Sequence, residues 1–206
     1  KRCAYFLFSQ GIRKGDAVML ILRRRYEFWW FIIALHRIGA IVVPATDQLL
    51  ESDIVYRNNA AQIKMIVSYE NPAIQTEIEN ASKKTPSVKG LVTVGGDRQG
   101  WINYHASVTS VEPEYPRPTG ELGTVSSDPM LMYFTSGTSG YPKMVLHDFT
   151  YPVAHIITAK YWHGCFDGGL HLTVAETGWG KAVWGKIYGQ WLCGCAVFVY
   201  DMTSFR

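Results

Sequence analysis

Thr135-Ser136-Gly137-Thr138-Ser139-Gly140-Tyr141-Pro142-Lys143 lies between two apolar runs, Met130-Leu131-Met132-Tyr133-Phe134 and Met144-Val145-Leu146. The flanking runs read as strands, and the stretch between them has the equipment to grip a polyphosphate. Successive backbone N–H groups in a tight glycine-containing turn form a concave nest that attracts anions. Gly137 and Gly140 can take positive φ, which lets the nest close. Thr135, Ser136, Thr138 and Ser139 each add a rotatable hydroxyl donor. Lys143 adds a full charge on a flexible stem, and Pro142 stiffens the exit.

Plainer readings fit less well. A flexible Gly/Ser linker is not normally clamped between two β-type runs. An ordinary hairpin needs about two to five loop residues, so four hydroxyls followed by Pro-Lys exceed what turning requires. A Walker loop ends in Gly-Lys-Ser/Thr and runs into a helix. Here Pro142 precedes Lys143, Met144 follows it, and Val145-Leu146 continues as a strand.

Outward from the loop, strand and helix patterns alternate. Residues 4–10 read as the end of an amphipathic helix closed by Gly11. Ala17–Leu22 is a nearly continuous apolar run, as in a buried parallel strand. Glu27–Ile38 carries Phe28, Phe31, Ile32 and Leu35 at helical spacing. Ile41–Val43 is the next strand, ended by Pro44, and Ser52-Asp53 can cap a helix reaching about Ala61. Lys64–Ser68 reads as a strand, 73–83 as a polar helix and Lys89–Val94 as a strand. On the C-terminal side, the expected elements are a strand to His147, a helix from about Thr150 to Trp162, and a strand at Leu170–Val174. A helix at Lys181–Trp191 and a strand at Ala196–Tyr200 follow. The alternation predicts an α/β fold, parallel sheets flanked by helices. Residues 1–94 would form a first sub-structure. Residues 95–128, with Pro113, Pro116 and Pro118, would be a connection, and 129–206 would form an incomplete second sub-structure around the loop.

With Tyr133-Phe134 before it, the loop resembles the signature of the AMP-forming acyl-adenylate superfamily: acyl-CoA synthetases, adenylation domains of nonribosomal peptide synthesis, and luciferases. His147 also fits, since many members carry a histidine shortly after the loop. Gly11-Ile12-Arg13-Lys14-Gly15-Asp16-Ala17-Val18 and Arg37-Ile38-Gly39-Ala40-Ile41-Val42-Val43-Pro44-Ala45 resemble two earlier family segments in order and spacing. Ala175-Glu176-Thr177-Gly178-Trp179-Gly180 resembles the acyl-pocket segment of acetyl- and medium-chain acyl-CoA synthetases, with Glu176 where Asp is commoner.

The resemblance implies activation of a carboxylic acid by ATP, with Mg²⁺ on the phosphates, followed by transfer to coenzyme A. Thr135 to Gly140 and Lys143 would hold the phosphates, with Lys143 catalytic. Thr177, Gly178, Trp179 and His147 would form the acyl pocket, Trp179 limiting acyl length unless it is simply a core tryptophan. The family's Tyr-Gly-x-Thr-Glu, Thr-Gly-Asp, hinge and late lysine segments do not occur in this sequence. The chain also opens at Lys1-Arg2 without methionine. It therefore reads as an N-terminal piece whose missing partner is the remainder of its own chain, inactive by itself. An amino-acid or aryl-acid adenylation module, and a non-catalytic nucleotide-binding module, remain as alternatives.

Composition bounds the rest. Of 206 residues, 48% are hydrophobic and 18% charged, which indicates a globular chain and not a disordered one. A net charge of +3 is too small to argue for nucleic acid. No apolar run is long enough to span a bilayer. Arg23-Arg24-Arg25 reads as a solvated turn, or less simply as a holder of an anionic cofactor. Cys3, Cys165, Cys193 and Cys195 lack the spacing of a zinc site, so no metal is assigned to protein ligands and a reduced, cytoplasmic location is expected. His155, His163 and His171 receive no role, and Glu176 reads as a solvated loop carboxylate.

Overall fold

The computed structural model describes residues 1–110, 114–135 and 140–202. The parallel strands β1 (Ala17–Ile21), β2 (Ile41–Pro44), β3 (Ile63–Tyr69), β4 (Gly90–Val94) and β5 (Ile102–Asn103) alternate with α1 (Arg2–Ser9), α2 (Glu27–Ile38), α3 (Glu51–Ala61) and α4 (Pro72–Lys83). After α5 (Tyr104–Thr109) come β6 (Pro129–Thr135) and β7 (Lys143–Asp148). Among the described residues these strands form one seven-stranded sheet in the order β5-β4-β3-β1-β2-β6-β7. All neighbours are parallel except β6 and β7, which form an antiparallel hairpin.

The apolar runs explain the sheet. Every residue of β1 is buried, as a central strand covered on both faces requires. α2 begins and ends where the periodicity places it, burying Phe28, Phe31, Ile32 and Leu35. The chain steps from β1 to β2 in one direction, then turns back past β1 to β3 and β4. Right-handed crossovers then set α2 on one face and α3 and α4 on the other. α1 accordingly packs on α2, and α3 on α4. Such a reversal leaves a crevice at the C-terminal ends of the strands, where ligands bind in open α/β sheets.

Several local expectations change. Asp53, not an N-cap itself, sits three residues into α3 and accepts the backbone N–H of Leu50 at 3.2 Å. The stretch 95–128 contains β5 and α5, and β6 beyond it returns to the same sheet beside β2, with Val42 opposite Leu131. α6 (Tyr151–Ile157) continues as a π turn over Thr158–Trp162. The strands expected at 170–174 and 196–200 shrink to β8 (Leu170–His171) and β9 (Ala196–Val197), which pair only with each other among the described residues. The single helix expected at 181–191 is two, α7 (Gly180–Lys186) and α8 (Tyr188–Leu192), broken at Ile187. Two carbonyls near the break are diverted to side chains. Gly185 accepts from the Thr173 hydroxyl and Lys186 from the Trp29 indole.

The Arg23–Arg25 turn is not simply solvated. Arg23 pairs with Asp201 at 3.2 Å and, like Arg24, donates to the Met202 carbonyl. Arg25 pairs with Glu27 and Glu70. The run ties distant parts of the chain together.

Candidate functional site

The hairpin β6–β7 brings together the two ends of the 135–143 loop. Thr135 and Lys143 are cross-strand partners, and the Thr135 hydroxyl reaches the Lys143 carbonyl at 3.4 Å. Gly140 has φ +89° with open space where a side chain would stand, the left-handed turn its sequence position suggested. Ser136, Gly137, Thr138 and Ser139 lie outside the described residues. Helix α3 braces the exit of the loop: the Tyr56 hydroxyl donates to the Pro142 carbonyl at 2.9 Å, and its ring stacks on Tyr141 at 4.6 Å. Lys143 is exposed.

Beside the hairpin lies a cavity of about 500 Å³ at the C-terminal end of β2. Thr135, His147, Gly178 and Trp179 all line it, so four residues singled out from the sequence meet there. Tyr133, Phe134, Tyr151 and Trp184 give it aromatic walls, and Ala45, Thr46, Arg57, Pro142, Val145 and Gly180 complete it. Trp179 is 63% exposed, so it is not a core tryptophan. His147 packs on Tyr151 with ring centres 4.0 Å apart, and burial lowers its pKa.

Thr177 does not line the cavity. It is fully buried, and its hydroxyl donates to the Arg23 carbonyl, fastening the segment to the end of β1. Glu176 is not a solvated loop carboxylate either. It accepts the Gly178 N–H at 2.8 Å and lies 3.0 Å from the Thr177 hydroxyl, and burial raises its pKa. The carboxylate stitches the turn that presents Trp179. Gly178 is needed because the turn touches the end of β2: a Cβ there would stand 2.4 Å from the Thr46 nitrogen.

Two features escaped the sequence reading. Arg57 of α3 reaches the cavity although it lies far from the loop in sequence. The histidines left without a role flank Trp184: His155 and His163 both stack on its indole, and His171 lies 5.1 Å from His163. Burial, followed by the neighbouring charges, lowers the pKa of His155 and of His163. The signal available was the even spacing of His147, His155, His163 and His171, which implied no contact by itself.

The arrangement sets both described ends of the 135–143 loop beside a cavity with aromatic walls, a space that suits an apolar tail. Among the described residues no three His, Cys, Asp or Glu side chains converge to hold a metal. No helix among them is long and apolar enough to cross a membrane. All four cysteines are free.

Comparison with known proteins supplies the family. The profile of the AMP-binding enzyme family matches residues 1–206. The mitochondrial acyl-coenzyme A synthetase ACSM4 of Rattus norvegicus is 33% identical over 198 residues, which is 95% of this chain and 33% of the relative. The mitochondrial acyl-coenzyme A synthetase ACSM5 of the same species is 33% identical over 196 residues, 94% of this chain and 33% of its own. This chain thus spans about a third of the length of these curated relatives. The crystal structure of the anthranilate CoA ligase AuaEII in complex with anthranoyl-AMP superposes with a TM-score of 0.87 at 17% identity, over 98% of this chain and 38% of that one. A Brucella canis acyl-CoA synthetase superposes with a TM-score of 0.83 at 22% identity, over 97% and 35% of the two chains. At those identities the structural likeness concerns the fold. The family rests on the match along the whole sequence: this chain belongs to the AMP-binding enzymes.

Proposed function

We propose that this chain is the phosphate-gripping and acid-binding part of an AMP-forming acyl-CoA synthetase. The observation that carries the reading is the meeting of Thr135, the cross-strand partner of Lys143, with the Gly178-Trp179 turn around one cavity. In the proposed reaction the acid's carboxylate oxygen attacks the α-phosphorus of ATP. Pyrophosphate leaves, and coenzyme A thiolate then displaces AMP from the acyl-adenylate. The loop 135–143 would hold the β- and γ-phosphates, with Lys143 offsetting charge on the departing pyrophosphate. The cavity would hold the acyl tail, with Trp179 limiting its length and His147 beside it.

Mg²⁺ commonly binds through substrate phosphates and few protein ligands. Among the described residues no three His, Cys, Asp or Glu side chains converge, so the nucleotide's own phosphates would be its main ligands. The cytoplasmic location expected from the sequence stands beside the mitochondrial names of the relatives as an alternative. The residues present hold the phosphate grip and one acyl-pocket wall, whereas the family's ribose-binding and late lysine motifs are not among them. The 206-residue chain by itself is therefore proposed to be inactive.

A second reading, an aryl-acid ligase, draws on the aromatic walls formed by Tyr133, Tyr151, Trp179 and Trp184. ATP–pyrophosphate exchange against a panel of aliphatic, aryl and amino acids separates the two, using the protein that carries this chain. Exchange with aliphatic acids supports the first reading, and exchange confined to aryl acids supports the second. ATP binding with no acid-dependent exchange would leave only a nucleotide-binding module. Synthesis of acyl-CoA by the isolated 206 residues would overturn the proposed inactivity.

A further inference from the structure

Arg57 is a charge in the cavity wall that the loop motif does not explain. It follows Tyr56, which holds Pro142 at the exit of the loop. Its guanidinium lies over the ring of Phe134, 4.7 Å from the centroid, and Phe134 precedes Thr135 at the start of the loop. The helix α3 therefore touches both roots of the loop with consecutive side chains. The Arg57 Nε is shielded from solvent and has no hydrogen-bond partner among the described residues. Among the described residues no carboxylate lies within ion-pairing distance of the guanidinium; Asp53, one turn earlier on α3, acts on it only from farther away. Burial lowers its pKa.

An arginine whose Nε is out of water and unpaired gives up favourable hydration, and native proteins seldom leave such a group without a reason. Stacking on an aromatic face offsets only part of the loss. A planar fork left open toward a cavity suits an oxyanion, which it can meet with two parallel hydrogen bonds. A polyphosphate also carries more negative charge than Lys143 alone can balance.

We propose that Arg57 is a second cation of the phosphate site, its fork taking oxygens of the phosphate chain of the nucleotide gripped by loop 135–143. This rests on the reading of that loop as a nucleotide grip. The test uses the enzyme that carries this chain, as wild type, Arg57→Gln and Arg57→Lys. ATP binding is measured by calorimetry, and KM for ATP and for the acid by pyrophosphate exchange. Arg57→Gln should weaken ATP binding and raise its KM about tenfold or more, the loss expected for a charge-assisted hydrogen bond. The acid KM should stay within about twofold, and the melting temperature should hold, since Arg57→Gln removes no salt bridge. Arg57→Lys, which keeps the charge but not the fork, should recover part of the affinity and covers the case in which the glutamine variant folds poorly.

Unchanged ATP affinity in both variants overturns the proposal, as does a rise confined to the acid KM, which would assign Arg57 to the carboxylate. Wild-type protein that fails to bind ATP overturns the nucleotide reading itself, and with it this proposal. Wild type that binds ATP but exchanges with no acid overturns the synthetase reading alone, and calorimetry then still decides the role of Arg57.

Discussion

Gly178→Ala is the sharpest test of how the Gly178-Trp179 turn is held. A methyl on Gly178 would stand 2.4 Å from the Thr46 nitrogen, 2.5 Å from the Ala45 carbonyl carbon and 2.7 Å from the Thr46 Cα. Ordinary contact begins near 3.4 Å, so the turn must retreat by about 1 Å from a backbone that cannot swing aside. β2 is fixed on both edges, by β1 and β6, so the 176–180 turn has to move. Overpacking of this kind costs about 1–3 kcal/mol. For a chain of this size each kcal/mol lowers the melting temperature by about 2–4 °C, giving a drop of about 2–12 °C by differential scanning calorimetry. Gly180→Ala is the matched control: two residues on, at the start of α7, nothing lies within 4 Å of its added carbon. It should change stability by less than about 0.5 kcal/mol. The reasoning fails if Gly178→Ala melts with the parent, or if Gly180→Ala loses as much.

Glu79 accepts from Arg98 at 2.6 Å and from the Trp101 indole at 2.7 Å, and Arg98 foremost holds its pKa down to about 2. Its folded value lies below the ordinary 4.5, so its contribution is present above that pH and is lost as pH falls toward 2. Urea midpoints of wild type and Glu79→Gln should differ at pH 7 and converge in acid; equal midpoints at pH 7 would contradict this. Burial pushes the His36 pKa down to about 3, with Nε2 2.6 Å from the Tyr188 hydroxyl and Nδ1 buried without a partner among the described residues. The folded state therefore binds fewer protons than the unfolded one. His36 adds an acid loss that begins near its ordinary 6.5 and deepens toward 3, by at most about 1.4 kcal/mol per pH unit. His36→Gln should flatten that slope, and an unchanged slope would count against it. Trp179→Ala, which removes a mostly exposed ring, should leave stability nearly intact and shift the acid preference to longer chains. A chain-length profile like that of the parent would remove Trp179 from size selection.

The parts of the molecule that were legible in the sequence are those decided locally. The aromatic stripe of α2 fixed both of its ends, because burial at helical spacing leaves one way to pack. The two strands flanking the loop were readable because apolar runs bracket it on both sides, whereas their antiparallel pairing was not. The departures come from contacts between distant residues. Leu170–Val174 has the composition of a strand, yet a strand extends only as far as its partner, and β9 supplies two residues. The break at Ile187 arises where Thr173 and Trp29 capture the carbonyls of Gly185 and Lys186. Glu176 looked like a loop carboxylate because nothing nearby in sequence showed that its turn packs against Ala45 and Thr46. Arg57 was invisible for the same reason: only the packing of α3 on the hairpin brings it to Phe134.

The most direct evidence would come from acid-dependent ATP–pyrophosphate exchange by the enzyme carrying this chain, with Lys143 intact and as Lys143→Ala. If the loop grips the phosphates while the carboxylate attacks, the variant should stay folded and lose about a hundredfold or more of the exchange rate, in line with removal of one charge-stabilising donor. Exchange by Lys143→Ala at the parental rate would contradict that role for the loop.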